Sequence, residues 1–285
     1  MEGIGPPLVT PFDRDGDVDH DRLRDLVAWV EDRDVDFLVP CGSTSEGELL
    51  TDEERARVVE TVADEASVPV LAGTGHPGLR ATLEATAAAA AAGADGALVV
   101  TPHYYNHDQE TLAAYYRELA DESPLPIYLY SVPVFADARI DPETARALAE
   151  HPNVAGMKDS SGDLAEFVRT VERVGEDFAM LVGTGSLLAQ ALDAGASGGI
   201  AALANLYPGR LAAVVDAHPD DPALARERNR RLVEVDTAIT SEFGIPGLKW
   251  AMRERGAPAG YPRSPHTEPG QTAKDRLATL LGELA

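Results

Sequence analysis

Eight short apolar runs alternating with longer stretches of helical periodicity predict an α/β chain folded as a (β/α)8 barrel, the TIM-barrel arrangement. The runs fall at residues 4–10, 37–40, 70–73, 97–101, 127–130, 154–158, 179–183 and 199–202. They are continuous rather than alternating in hydropathy, the pattern of parallel strands covered on both faces. Helical patterns lie between them at residues 19–34, 52–66, 79–92, 109–122, 142–150, 164–174 and 187–194, and several open on caps or early acids, among them Thr51-Asp52-Glu53-Glu54 and Asp141-Pro142-Glu143. After about residue 205 the strand pattern stops. Residues 1–205 are therefore expected to form the barrel, and residues 206–285 a C-terminal helical extension packed on it.

A doubly wound open sheet is the alternative. Its support is Gly73-Thr74-Gly75-His76-Pro77-Gly78, which matches G-x-G-x-x-G between a strand and a helix. The match sits at the third strand rather than the first and contains Pro77. The next strand ends in Thr101-Pro102, with no acid to hold a ribose. These glycines read instead as a tight strand-to-helix turn at the barrel mouth.

An apolar fraction of 44% is ample for a core, while 48 acidic against 24 basic residues leave a net charge of −24. Such a charge excludes nucleic-acid binding and is repelled by anionic membranes. The acids are spread over helix surfaces rather than gathered in a tail, and only three basic residues are lysines. That balance points to a salt-rich cytosol, where screening offsets self-repulsion. Cys41 is the single cysteine, so no intrachain disulfide can form, as suits a reducing cytoplasm. The first thirty residues lack the pattern of a signal peptide, and the alanine tract at residues 85–92 is too short to span a bilayer. A cytoplasmic location is expected.

In a barrel of this kind the chemistry sits at the carboxyl ends of the strands. Lys158 ends the sixth run, Val154-Ala155-Gly156-Met157-Lys158. A chain that uses arginine almost everywhere keeps an amine here, and lysine, unlike arginine, becomes a nucleophile when a dry pocket disfavours its charge. The plain alternative is a Lys158–Asp159 ion pair at a strand end. Tyr130 ends the neighbouring run and can carry a proton if it points into the mouth; otherwise it is a packing aromatic. The Gly42-Ser43-Thr44-Ser45 turn ends the second run. Its N–H groups and the Ser43 and Thr44 hydroxyls can hold a carboxylate, although such loops are also common as plain connections. Together an amine, a phenol and an anion-holding turn are what Schiff-base chemistry on a 2-oxo acid requires. Gly183 ends the seventh run and Ile200 lies on the eighth. His103 and His107 stand four apart beside Asp108, but in a loop without an evident third ligand, so no metal is expected. Tyr104 and Tyr105 read as loop aromatics that pack locally or meet another subunit.

These residues bring the chain close to a known group. It resembles the dihydrodipicolinate synthase/N-acetylneuraminate lyase superfamily of class I, Schiff-base aldolases, over nearly its whole length. The resemblance is carried by Thr10-Pro11-Phe12 with Asp15-Gly16-Asp17-Val18-Asp19, the Gly42-Ser43-Thr44-Ser45-Glu46 loop, and Thr101-Pro102 with Tyr104. It continues through Tyr130-Ser131-Val132-Pro133, Gly156-Met157-Lys158-Asp159 and Ile245-Pro246-Gly247-Leu248-Lys249-Trp250. It implies that Lys158 forms a Schiff base with pyruvate, Tyr130 relays protons, and Ser43 and Thr44 bind the carboxylate. It further implies that Gly183 and Ile200 line the pocket, that Tyr104 reaches a neighbouring subunit's site, and that the protein is a homotetramer with no cofactor. Synthases of the lysine pathway carry an arginine two residues after the proline of the Tyr-x-Val-Pro motif; here Phe135 stands there, after Val134. Losing that clamp removes a charge-assisted contact to a carboxylate-bearing aldehyde. The pattern is closer to archaeal 2-keto-3-deoxygluconate aldolases, which implies cleavage of that sugar acid to pyruvate and glyceraldehyde in a branch of Entner–Doudoroff metabolism. The alternatives are 4-hydroxy-tetrahydrodipicolinate synthase and a dehydratase of 2-keto-3-deoxy sugar acids.

Overall fold

The computed structural model describes residues 1–284. Seven parallel strands form one curled sheet: β1 (Gly3–Ile4), β2 (Leu71–Gly73), β3 (Gly96–Val100), β4 (Ile127–Ser131), β5 (Val154–Asp159), β6 (Ala179–Val182) and β7 (Gly198–Gly199). Their order is β1-β7-β6-β5-β4-β3-β2. The remaining predicted run, residues 37–40, registers only as a parallel bridge between Leu38 and Val70. It nevertheless bonds on both edges. Asp36 N–H donates to Ile4 O (2.9 Å) and Leu8 N–H to Val39 O (3.0 Å) on one side, and Leu38 N–H to Pro69 O (2.9 Å) and Leu71 N–H to Leu38 O (2.8 Å) on the other. The segment thus joins β1 to β2 and brings the two ends of the sheet together, as a barrel does and an open doubly wound sheet does not. Prolines account for the broken ladder. Pro6, Pro7, Pro40 and Pro69 have no N–H to donate, so pairing around this segment is interrupted. The predicted strand 4–10 shortens to Gly3–Ile4 for the same reason.

Helices alternate with the strands: α1 (His20–Glu31), α2 (Asp52–Glu65), α3 (Leu79–Ala91), α4 (Gln109–Glu122), α5 (Pro133–Ala136), α6 (Pro142–Ala149), α7 (Leu164–Val171) and α8 (Leu188–Asp193). Thr51 caps α2 through a reciprocal capping box with Glu54, as its sequence predicts. Asp141 precedes α6 but makes no side-chain cap; its carboxylate instead accepts from Arg139 Nε at 3.0 Å. Beyond β7 come α9 (Pro208–Ala217), α10 (Pro222–Arg230), α11 (Val233–Thr237), a π-helical turn (Ala238–Glu242), α12 (Gly244–Glu254) and α13 (Gln271–Glu283). Of these, α9 packs on β1, and α10 on α8 and α9.

Two buried clusters explain the sheet's side-chain pattern. Phe37, Val39, Leu71, Leu98, Tyr128, Tyr130, Leu181 and Ile200 fill the inside of the curl. Ile127, Leu129, Val99, Met157 and Val182 belong to the larger cluster between strands and helices. Successive strand residues face opposite ways. With Met157 turned to the helices, Lys158 points inward beside Tyr130. The G-x-G-x-x-G glycines behave as a tight connection: a Cβ on Gly75 would lie 2.7 Å from Val100 Cγ1 and 2.8 Å from Val100 N.

Candidate active site

β4 and β5 pair with Tyr130 opposite Lys158. Both side chains are buried, each 5% exposed, and Lys158 Nζ stands 4.2 Å from the centroid of the Tyr130 ring. The amine lies over the face of the phenol, where the ring's negative quadrupole meets it. The ion-pair alternative is not what forms. Asp159 turns its carboxylate to the Ser161 N–H (2.7 Å), and among the described residues Lys158 joins no ion pair. Burial raises the Asp159 carboxyl above its ordinary range, against the Ser161 bond.

Neighbouring strand ends complete the mouth. Gly183 N–H donates to Asp159 O (2.6 Å), and Ile200 N–H to Val182 O (2.9 Å). A Cβ on Gly183 would meet Ser160 Oγ at 1.8 Å and Ser160 Cβ at 2.7 Å, so only glycine allows β6 to approach β5 this closely. Ile200 is fully buried in the inner cluster with Tyr130. Thr101 N–H donates to Tyr130 O (3.0 Å), while the buried Thr101 hydroxyl has no partner among the described residues.

The Ser43–Thr44 turn follows residues 37–40. Within it, Ser45 and Gly47 N–H groups donate to Gly42 O and Glu46 N–H to Ser43 O, each at 3.1 Å. The N–H groups of Ser43 and Thr44 take no part in these bonds and, with the two half-buried side chains, are free for an anion. Tyr104 lies apart from the buried set. It is 86% exposed, adopts a left-handed φ of 80°, and packs edge-to-face with Tyr105. Val134 and Phe135 are 79% and 70% exposed on α5, one turn beyond Tyr130. The mouth therefore has an apolar rim there. His103 and His107 lie in a loop, with His103 Nε2 3.9 Å from Glu48. Among the described residues no group of three or more His, Cys, Asp or Glu side chains could hold a metal ion, and no helix is long and apolar enough to cross a membrane. A crevice of about 160 Å³ between α2 and α3, lined by Arg55, Val59, Thr74 and Ala85 among others, lies outside the strand ring and away from Lys158.

Glu46 and Lys249 stand in motifs the sequence offered, but nothing in the sequence paired them. Glu46 and Lys249, both fully buried, form an ion pair. Burial draws the Lys249 ammonium down to about 8, against the opposing pull of Glu46. Asn205 ties Val9 N–H (3.1 Å) and Pro7 O (2.8 Å) to the end of the last strand. The usable signal was composition: Lys249 is one of only three lysines and stands between the apolar Leu248 and Trp250.

Comparison with known proteins agrees with this architecture. A profile described as the dihydrodipicolinate synthetase family matches residues 1–284. A 4-hydroxy-tetrahydrodipicolinate synthase from Haloarcula marismortui is 37% identical over 287 residues, covering 100% of this chain and 94% of the relative. An uncharacterized DapA-like lyase from Halobacterium salinarum is 39% identical over 268 residues, covering 93% and 88%. Among solved structures, a chloride-inhibited dihydrodipicolinate synthase from Acinetobacter baumannii complexed with pyruvate superposes with a TM-score of 0.96 at 30% identity, covering 99% and 98% of the two chains. YagE from E. coli K12, of the dihydrodipicolinic acid synthase family and in complex with pyruvate, gives 0.95 at 30% identity, covering 100% and 98%.

Proposed function

Because the chain belongs to the dihydrodipicolinate synthetase family, we propose that it is a pyruvate-dependent class I lyase that cleaves a 2-keto-3-deoxy sugar acid, 2-keto-3-deoxygluconate, to pyruvate and glyceraldehyde. The observation that carries the Schiff-base chemistry is the buried Lys158 Nζ over the Tyr130 ring. The Lys158 amine adds to the C2 carbonyl, and loss of water gives the protonated imine. Tyr130, left as the phenolate after giving its proton to the departing water, accepts the proton of the C4 hydroxyl, the C3–C4 bond breaks, and its electron pair passes into the imine to give an enamine as the aldehyde leaves. Protonation at C3 and hydrolysis then release pyruvate and free Lys158. Ser43 and Thr44 hold the carboxylate in this reading, and Gly183 and Ile200 form the wall.

The choice of aldehyde rests on Phe135. An exposed ring at the rim of the mouth cannot pair a carboxylate, so an uncharged aldehyde is the better fit. A second reading, 4-hydroxy-tetrahydrodipicolinate synthase, is favoured by the relatives that bear this name and align along nearly the whole chain, from Haloarcula marismortui, Methanothrix thermoacetophila and Natronomonas pharaonis. Purified protein assayed with pyruvate plus glyceraldehyde, and separately with pyruvate plus aspartate semialdehyde, decides between them. A higher kcat/KM with aspartate semialdehyde establishes the second reading and removes the first. Borohydride with pyruvate should add mass at Lys158, and equal trapping in Lys158→Arg would end both.

A further inference from the structure

We infer that the segment after β7 positions the Ser43–Thr44 turn, with the buried Glu46–Lys249 pair as its anchor. Glu46 closes that turn in a left-handed conformation, φ 56°, which few non-glycine residues adopt without outside support. The support is on α12 and beyond. Lys249 Nζ donates to Glu46 Oε2, to Thr10 O (2.7 Å) and to Tyr261 O (2.8 Å), so all three of its protons are used. Glu46 Oε1 accepts from Arg263 N–H (2.9 Å) and lies 3.0 Å from His266 Nδ1. Thr10 returns to the same turn, its hydroxyl donating to Ser45 O at 2.7 Å. The fixed end of the turn is therefore Ser45–Glu46, and the end left free is Ser43–Thr44.

A buried ion pair is a weak source of stability, because desolvation offsets most of its attraction. Its yield here is geometric: three distant pieces of chain are held at one point directly behind the anion-holding groups. A parallel arrangement stands behind the turn after β6. Asn229 of α10 donates to Gly185 O (2.8 Å) and accepts from Ala189 N–H (2.9 Å), and Asp236 of α11 accepts from Ser186 N–H (2.7 Å). The helices beyond the last strand thus grip both turns, and Lys249 and Glu46 are positioning residues rather than groups that touch substrate.

The proposal rests on the Schiff-base reading of Lys158, and its test separates the two. The double variant Glu46→Gln/Lys249→Met removes both buried charges together while keeping side-chain volumes close. Borohydride trapping at graded pyruvate concentrations, with the added mass located at Lys158 and the melting temperature measured alongside, is the readout. The expected result is half-saturation at about tenfold higher pyruvate, the value of roughly one hydrogen bond to a charged group, with trapping at saturating pyruvate retained. A purely structural role would lower the melting temperature and leave half-saturation unmoved, and that outcome overturns the proposal. Should the double variant not fold, Thr10→Val removes only the hydroxyl that holds Ser45; a shift of about threefold in half-saturation is expected, and none overturns the proposal. Wild-type protein that is never trapped overturns the Schiff-base reading itself, and this proposal with it.

Discussion

Gly183→Ala tests how closely the mouth is built around Lys158. The new Cβ would stand 1.8 Å from Ser160 Oγ, 2.7 Å from Ser160 Cβ and 3.0 Å from Ser160 Cα. Rotating the serine clears the first contact but not the other two, which belong to β5's exit and its backbone. Restoring ordinary carbon contacts of roughly 3.5 Å requires Ser160 to recede by about 0.5–0.8 Å. That motion pulls on the Gly183 N–H to Asp159 O bond and on the Ser160 N–H to Ser131 O bond (2.8 Å), the two links that hold the end of β5 between its neighbours. Lys158 lies two residues away on the same strand. Overpacking of this kind costs about 1–3 kcal/mol, and a displacement approaching 1 Å at a reacting group slows a step by up to about 100-fold. The expected result is a lowered melting temperature together with at least about tenfold slower borohydride trapping of pyruvate. Thermal denaturation and timed mass analysis of the Lys158 peptide measure both. Trapping within about twofold of wild type at unchanged melting temperature would show that the close β5–β6 approach is not what places the amine, because a twofold change corresponds to only about 0.4 kcal/mol.

Three other outcomes are expected. Tyr130→Phe keeps the ring beneath Lys158 Nζ but removes the hydroxyl, so turnover should drop by about 10²–10⁴ while pyruvate is still trapped; undiminished turnover would remove Tyr130 as proton carrier. Glu54, bonded to Arg263 (2.7 Å), is held down to about 2 from 4.5 chiefly by that bond. A carboxyl depressed on folding stabilises above its unfolded value and loses that contribution as pH falls towards its folded one, so Glu54→Gln should cost about 1–2 kcal/mol at pH 7 after allowance for solvent around the partly exposed side chain. The deficit should shrink by more than half by about pH 3, and denaturant titrations showing a pH-independent deficit would contradict this origin. Finally, with a net charge of −24 the melting temperature should fall between molar and millimolar KCl; a value that does not fall would refute the reading of the acidic surface as a salt adaptation.

Period and strand-end chemistry made the barrel and its central pair legible. Continuous apolar runs located the strands, and side-chain alternation alone puts Lys158 on the Tyr130 face once Met157 is assigned to the helices. What the sequence obscured was of two kinds. Prolines erased the ladder around residues 37–40, so a segment with strand hydropathy pairs through scattered bonds instead of a regular register. Long-range polar partners were the other. Nothing local links Glu46 to Lys249, 203 residues on, or Ser186 to Asp236, because the pairing is decided by how the helices after β7 fold back over the mouth. Phe135 was legible as a missing clamp, but its exposure at the rim needed the backbone of α5.

The two halves of the proposed reaction are held by elements of different rigidity. Lys158 and Tyr130 sit on paired central strands of the sheet, in register and buried, so a shift of one strand moves the other. Phe135 sits on a four-residue helix that contributes only Ala136 to the core. A side chain there can change size or charge without disturbing the ladder that aims the amine. The Ser43–Thr44 turn, proposed to hold the carboxylate, stands between these extremes: Glu46 at its end has a left-handed φ, and it is braced from behind by charged groups far along the chain. Substitution at the rim should therefore alter which aldehyde is accepted while leaving Schiff-base formation intact. Phe135→Arg is the direct case. It places a guanidinium where a second carboxylate would bind, and a bidentate pair with such a group is worth about 1.5–3 kcal/mol. The ratio of kcat/KM for aspartate semialdehyde over glyceraldehyde should rise by about tenfold to 100-fold, with borohydride trapping of pyruvate unchanged. A variant that loses trapping along with glyceraldehyde turnover would mean that rim and amine are not independent, and the separation of binding from chemistry argued from the strand register would fail.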